Sequence, residues 1–141
     1  MTYALALPLQ AAVFQRLAAF PALTALVGTH VYDQIPPGPM PPLFVALGPE
    51  TSRDRSDKTG RGGEHDLAVA VVAEAAGFAT AKQAAAAVSD ALIDASLALA
   101  RGRLVSLRFL RAQARRTEGG EGREITLVFR ARVEDDPAPT P

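Results

Sequence analysis

Residues that could carry out chemistry are few in this 141-residue chain, and they are scattered along it. The chain has no cysteine, which excludes disulfides, thiolate catalysis and cysteine-ligated metals. Its two histidines, His30 and His65, lie in different segments, and neither begins an H-x-x-x-H or H-x-x-E motif. We therefore predict no metal site, and we interpret both histidines as surface or strand-edge residues.

Motifs for nucleophilic catalysis and phosphate binding are also missing. No serine lies in a G-x-S-x-G turn. The segment SDKTG resembles the end of a phosphate-binding loop, but Asp57 and Ser52 stand where that loop requires glycine. Asp90 and Asp94, four residues apart, fit the solvated face of an amphipathic helix. We expect neither an enzyme nor a bound cofactor.

The composition favours one globular domain with one modest core. Hydrophobic residues make up 48% of the chain, and 15 basic side chains balance 15 acidic ones. This balance gives no whole-chain argument for nucleic acid or membrane binding. The apolar N-terminus lacks a basic start and contains Pro8, Gln10 and Arg16, and no run approaches the ~18 uncharged apolar residues of a membrane helix. We expect a soluble protein that stays in the compartment where it is made.

Periodicity predicts the elements that position these residues. Helices are predicted from about Pro8 to Ala19, in a short turn after Pro21, and from Thr80 to Gly102. Strands are predicted over Leu43–Gly48, Glu64–Ala76, Arg103–Thr117 and Arg123–Asp135, with a long polar hairpin loop between the first two. The order α-β-β-α-β-β predicts a single α+β domain over residues 1–136, with a mainly antiparallel sheet of about four strands and helices on one face. Residues 137–141 are predicted to be a flexible tail.

A basic bias marks the second half of the chain. Nine arginines and three glutamates between Arg101 and Arg132 give a local net charge of +6. Alternation along the last strand turns Arg130 and Arg132 away from its apolar face, so a cationic surface could meet a phosphate backbone or an acidic protein. That face offers no aromatic side chains for stacking, which disfavours sequence-specific RNA binding. The candidate residues for a nucleic-acid or protein interface are Arg108, Arg111, Arg115, Arg116, Arg130 and Arg132.

A proline-rich segment followed by a polar run forms the other unusual feature. Five prolines occupy seven positions from Pro36 to Pro42. A domain linker is disfavoured because both flanks fit one domain, and a proline-motif ligand is disfavoured because the flanks are of the buried type. We predict a stiff ledge that contacts a neighbouring subunit or another protein partner. The candidate contact residues are Pro36, Pro37, Pro39, Pro41 and Pro42, together with Arg53, Asp54, Arg55, Lys58 and Arg61 in the polar run.

Several short segments together resemble a known family. They are Leu26-Val27-Gly28, Val31-Tyr32-Asp33, the proline-rich bend, Leu47-Gly48, Glu64-His65 at the start of a strand, and Ala91-Leu92 in the long helix. Over roughly Pro8 to Val133 the chain resembles the tail completion and tail terminator proteins of long-tailed phages, especially those of gene transfer agents, which are phage-derived particles encoded in bacterial chromosomes. The matching positions define a fold and contain no catalytic group.

The resemblance implies a ring, usually a hexamer, at the head-proximal end of the tail tube. Such a ring stops tube polymerisation, joins the tail to the head connector and lets DNA pass through its channel. The implied partners are further copies of the chain, the tail tube protein and the head–tail connector, with non-specific DNA contact and no membrane. The implied location is the tail of a phage-like particle assembled in the bacterial cytoplasm. The alternative hypothesis is a monomeric or dimeric α+β nucleic-acid-binding module that uses the basic 101–132 hairpin.

Overall fold

The computed structural model describes residues 3–57, 60–74, 78–117 and 120–136. Within these ranges the chain forms three helices and one five-stranded sheet. The elements in chain order are α1 (Ala6–Ala19), α2 (Pro21–Val27), β1 (Val31–Tyr32), β2 (Leu43–Asp54), β3 (Gly62–Ala73), α3 (Ala79–Leu92), β4 (Arg103–Arg116) and β5 (Arg123–Glu134).

The sheet has the order β1-β2-β3-β5-β4 and is antiparallel except for the β1–β2 pair. The predicted α+β class and mainly antiparallel sheet are confirmed, with five strands instead of about four. The additional strand, β1, has only two residues, and Val31 lies opposite Val45. Its extension is limited because Ile35 precedes a proline and five prolines follow, each without a backbone N–H for a strand ladder.

The core lies between the helices and one face of the sheet. Alternate residues of the two central strands face the helices and pair directly: Leu67 with Phe129, Val69 with Leu127, and Val71 with Ile125. Full burial of such side chains contributes about 1.5–3 kcal/mol each. The inner side of α3 is built mainly from alanine, which lets this helix lie close to the sheet. We call the opposite side of the sheet, which no described helix covers, the open face.

The last predicted helix is shorter than expected. It ends at Leu92 instead of Gly102. Ile93 is extended, Asp94 has a positive φ of 55°, and the Asp94 N–H bonds to the Leu107 carbonyl at 3.0 Å. The backbone just after the helix is therefore hydrogen-bonded to β4 of the sheet. Leu97 and Leu99 still pack against the core, but they belong to an irregular segment.

The predicted long polar loop is mostly strand. β2 continues to Asp54 and β3 begins at Gly62, which leaves only residues 55–61 as the connection. The ladder is irregular between Leu47 and Glu50, where Pro49 lacks an N–H to donate, and it resumes where Glu50 pairs with Leu67. Of the predicted contact residues in this region, Lys58 lies outside the described residues.

Among the described residues, no single helix is long and apolar enough to span a membrane. Helices α1 and α2 reach that length and composition only together, and a bend of 73° separates them. Leu9, Val13 and Leu17 of α1 are buried in the core of the domain.

Candidate assembly surfaces

A compact charge cluster lies on the open face at the centre of the sheet. Arg130 of β5 lies directly opposite Asp66 of β3 and bonds to it through both Nε and a terminal nitrogen, at 2.8 and 3.0 Å. Arg130 Nε also lies 3.2 Å from Glu64 Oε1, and Arg53 and Arg55 reach the same two carboxylates at 3.2–3.4 Å. The side chains of Glu64 and Asp66 are only 9% and 14% exposed.

These contacts change the expected role of three candidate residues. The hydrogen bonds from Arg130 lower the pKa of Asp66 against the opposing effect of burial, and those to Asp66 raise the pKa of Arg130. Arg130, Arg53 and Arg55 share two carboxylates, Asp66 and Glu64, so the cluster keeps a net charge of +1 and its positive charge is only partly compensated within the subunit. The contacts join β2, β3 and β5, and Arg130 is the least exposed of the three arginines.

The other predicted arginines differ in whether they have an acidic partner. Arg108, Arg111 and Arg132 have no ion pair with any described residue. Arg108 lies opposite Arg130, Arg111 opposite Val128, and Arg132 opposite Ser106, so all three are on the open face. Arg115 bonds to Glu124 at 2.7–2.8 Å. Arg116 is exposed at the end of β4, opposite Arg123. Of the six predicted arginines, Arg115 and Arg130 are thus paired, whereas the other four form no ion pair with a described residue.

The outer strand β4 leaves one edge of the sheet open. Residues 111–116 are all exposed. On the helix side, α3 and β4 border a groove of about 300 Å³, lined by Ala86, Phe109, Ala112 and Ala114 among others. Phe109 is 42% exposed, although its ring packs edge-on against buried Phe129 at 5.8 Å. An exposed strand edge beside an apolar groove is unusual for a surface that remains in water.

The proline-rich ledge lies at one end of the strands. The Glu74 N–H bonds to the Pro42 carbonyl at 2.7 Å, which fixes the ledge to the end of β3. Met40 and Pro41 border a groove of about 400 Å³ that continues over Phe44 to Gly122. The other predicted ledge residues, Pro36, Pro37 and Pro39, are exposed, as is Pro42.

The β2–β3 loop lies at the opposite end of the strands. Asp54 bonds to Ser56, and this hydrogen bond lowers the Asp54 pKa. Arg61 lies 3.5 Å from the Asp135 carboxylate. Arg101 donates two hydrogen bonds of 2.9 Å to the same carboxylate, and these bonds lower the pKa of Asp135. A 12-residue strand spans about 36 Å, so the two predicted contact regions are separated by nearly the full length of the domain.

The two histidines have different surroundings in the structure. No group of three potential ligands among His, Cys, Asp and Glu occurs in the described part of the chain. The prediction of a surface or edge position is wrong for His65, which is fully buried and lies 3.1 Å from Glu50. His65 is separated from Leu67, Val69 and Val71 by multiples of two residues along the strand, and this alternation could have placed it on the core side. His30 is partly buried and lies 3.0 Å from the Tyr32 hydroxyl.

The described surfaces define a small α+β protein that is built for contacts at its edges and ends. Comparison with known proteins identifies the family to which this small α+β protein belongs. The family model described as tail completion protein gp17 matches residues 11–134. The chain therefore belongs to the tail completion protein gp17 family, and it is a structural protein of a phage-like tail.

A solved structure gives a second comparison. The chain is 62% identical to a chain from the virion of a native gene transfer agent particle, with a TM-score of 0.90. The alignment covers 94% of this chain and 99% of that one. Comparison with curated proteins finds no match. The resemblance to tail completion proteins and to the version in gene transfer agents is confirmed, whereas the roles assigned to individual residues stay predictions.

Proposed function

We propose that the chain forms a ring, expected to be hexameric, at the head-proximal end of a gene transfer agent tail. The ring ends polymerisation of the tail tube, joins the tail to the head connector and leaves a channel for DNA. The observation that carries this proposal is the 62% identity, over nearly the whole of both chains, to a component of a native gene transfer agent virion. Membership of the tail completion family supports the same role.

The geometry of the subunit suits a ring with partners above and below. Head-to-tail closure requires two different surfaces on each copy. The sheet has two different edges, β4 on one side and the short β1 beside β2 on the other. The proline-rich ledge and the β2–β3 loop, at opposite ends of the strands, remain available for the tail tube and the connector.

The unpaired arginines are the residues that we assign to the channel. Arg108, Arg111 and Arg132 share the open face and form no ion pair with a described residue, although Arg111 acts on Asp66 at longer range and Arg132 lies opposite Glu64. Such a surface attracts the DNA backbone without reading its sequence. We do not assign Arg130 to this role, because its guanidinium group is bound to Asp66 and lies 3.2 Å from Glu64.

The test is deletion of the gene in a host that produces the particles. We expect tails of irregular length that are not joined to heads, and we expect the intact gene supplied in trans to restore normal particles. Negative-stain microscopy measures both tail length and the fraction of tails joined to heads. Normal-length, head-joined tails in the deletion strain would overturn the proposal.

The unpaired arginines also favour the alternative function, a nucleic-acid-binding module. It predicts a monomer or dimer whose affinity for DNA falls steeply with salt. The triple variant Arg108→Ala/Arg111→Ala/Arg132→Ala would then reduce the slope of log K against log[salt] by up to about 2.7, at about 0.9 per lost phosphate contact. Arg115→Ala is the matched control, because Arg115 is already paired with Glu124. Salt-independent or undetectable binding excludes this alternative.

A further inference from the structure

Helix α1 is apolar on its outer side as well as on its core side. Leu9, Val13 and Leu17 are buried, yet Tyr3 and Leu7 are 67% and 72% exposed. The outer stripe, which we define as Tyr3 just before the helix and Leu7, Ala11, Phe14 and Ala18 within it, follows a helical spacing of three to four residues. Phe14 is half-buried and packs partly against the core, whereas Leu7, Ala11 and Ala18 are exposed. A single exposed leucine is ordinary, but a helix in permanent contact with water carries polar residues along such a stripe. The outer stripe therefore indicates a surface that is covered in the assembled protein.

The charge of α1 supports this reading of its surface. The only charged residue of α1 is Arg16, and its Nε bonds to the Ala91 carbonyl at 2.8 Å. The outer stripe itself therefore carries no charge. It can enter an apolar site without the large cost of removing a charged group from water.

A second apolar surface lies at the other side of the subunit. Helices α1 and α2 contact β1, β2 and α3, whereas α3 also contacts β3, β5 and β4. A helix is about 10 Å wide and strands are about 4.8 Å apart, so one helix covers about two strands. The outer strand β4 is therefore left partly uncovered, and the α3–β4 groove of about 300 Å³ lies where a further helix would pack.

The two surfaces match each other and cannot meet within one chain. The groove is lined mainly by small apolar side chains, including Ala86, Ala112 and Ala114, and Lys82 is the charged residue of its lining. The outer stripe has no basic residue, so no like charge in it repels Lys82. At 14 residues, α1 is about 21 Å long, which suits it to lie along a groove between a helix and a strand. A second copy of this chain supplies the required helix.

We propose that the outer stripe of α1 in one copy packs into the α3–β4 groove of the next copy. The contact joins two different surfaces, so it repeats head to tail and can close into a ring. The inference rests on the proposed function, to which it adds the surfaces that form the ring. It adds one helix to the helical layer of each subunit and covers Phe109 and the exposed alanines of β4.

The test uses the purified full chain and two substitutions at exposed positions, Leu7→Glu in the outer stripe and Ala112→Glu in the groove. Ile35→Glu is the control for the first, because Ile35 is 53% exposed and belongs to neither surface. Gln113→Glu is the control for the second, because Gln113 follows Ala112 in β4 and lies on the open face, opposite Thr126. Thermal unfolding verifies that every variant is folded, and sedimentation velocity measures its oligomeric state.

We expect the unaltered chain and both controls to form the same oligomer, and each test variant alone to be monomeric. A 1:1 mixture of the two test variants retains one intact contact, between the α1 of the Ala112→Glu chain and the groove of the Leu7→Glu chain. The mixture should therefore form dimers and nothing larger.

Three results would overturn the contact. They are assembly of either test variant like the unaltered chain, dimers of Ala112→Glu alone through two α1 helices, and a mixture that forms no dimer. An unaltered chain that stays monomeric at its highest soluble concentration also overturns it. The proposed function is judged separately, by tail length and head joining in particles, so the two can fail independently.

Discussion

Arg130 and Asp66 face each other across β5 and β3 and form a two-bond ion pair of 2.8 and 3.0 Å on the open face of the sheet. Glu64 lies 3.2 Å from the same guanidinium group. The pair is mostly shielded from solvent, with 23% of the Arg130 side chain and 14% of the Asp66 side chain exposed. Two-bond arginine–carboxylate pairs have a fixed geometry, so this contact aligns the two central strands.

Removal of the Arg130 side chain should destabilise the fold. Arg130→Ala leaves two largely buried carboxylates, Asp66 and Glu64, with only the more exposed Arg53 and Arg55 as partners. We expect the free energy of unfolding to fall, by less than for a fully buried pair because solvent reaches part of the cluster. Urea denaturation measures the change.

Arg132→Ala is the matched control for this substitution. Arg132 lies two residues away on the same strand and the same face, but it is exposed and has no ion pair with a described residue. We expect its removal to change stability by less than about 0.5 kcal/mol. Equal effects of the two substitutions would contradict the structural role of Arg130.

Acid should weaken the same contacts. The pKa of Asp66 lies below its ordinary value of 3.8, chiefly because of the hydrogen bonds from Arg130, and that of Asp135 is lowered by Arg101. The folded state therefore binds fewer protons than the unfolded state, so the stabilisation is present above about pH 4 and is lost as pH falls through the folded pKa values. Urea denaturation between pH 7 and pH 3 should show an unfolding free energy that falls on the acidic side.

Asp66→Asn isolates the contribution of this carboxylate. At neutral pH the variant should be less stable by about 1 kcal/mol, because charge-assisted hydrogen bonds become neutral ones at a partly exposed site. Its acid-induced loss of stability should be smaller than that of the unaltered chain. A variant with the same pH profile as the unaltered chain would show that Asp66 does not couple folding to proton binding.

The strands that cross the core could be predicted from the sequence, because every second side chain along each of them is apolar. Ile125, Leu127 and Phe129 alternate with polar residues, and the structure places them on the core side of β5. The C-terminal end of the last helix could not be predicted. Leu97 and Leu99 fit an extended segment as well as a helix, and the choice depends on the long-range bond from Asp94 to Leu107.

The assembly surfaces were only partly predictable for a related reason. The excess of arginine between residues 101 and 132 was visible in the sequence, but the acidic partners of Arg130 lie 64 and 66 residues away on β3. Charge that is counted along the chain does not reveal which cations are neutralised across a sheet. The outer stripe of α1 was missed because exposed and buried apolar residues look alike in a helical pattern.

Gly102 is a position where a side chain should not be tolerated. It has a φ of +69°, and a Cβ atom there would lie 2.5 Å from the Glu134 carbonyl oxygen and 2.8 Å from a methyl carbon of Leu5. We expect Gly102→Ala to cost about 3 kcal/mol, from left-handed strain of about 1–2 kcal/mol together with the steric overlap. Thermal or urea unfolding measures the loss.

Gly120→Ala separates these two contributions. Gly120 also has a positive φ, of +79°, but a Cβ atom there would meet nothing within 4 Å. We expect only the strain of about 1–2 kcal/mol at this position. If the two variants were equally stable, the close approach of Gly102 to Glu134 and Leu5 would not contribute to the loss of unfolding free energy.

The two ends of the strands should give separate defects in particles. The ledge and the β2–β3 loop are about 36 Å apart, so one small substitution cannot disturb both. We expect Pro37→Gly/Pro39→Gly, which relaxes the exposed ledge, to impair contact with one axial partner. Arg55→Glu, which reverses a charge at the loop, should impair contact with the other.

Negative-stain microscopy distinguishes the two defects. Loss of the tube contact should give tails of irregular length, whereas loss of the connector contact should give normal-length tails that are detached from heads. Circular dichroism must first show that both variants are folded, because Arg55 also contacts Glu64. Each variant should show one defect and not the other, since a subunit that spans the distance between two partners contacts them with different residues. The same defect from both ends would contradict an axial role for the strand ends and would place one of the two regions at the subunit–subunit interface.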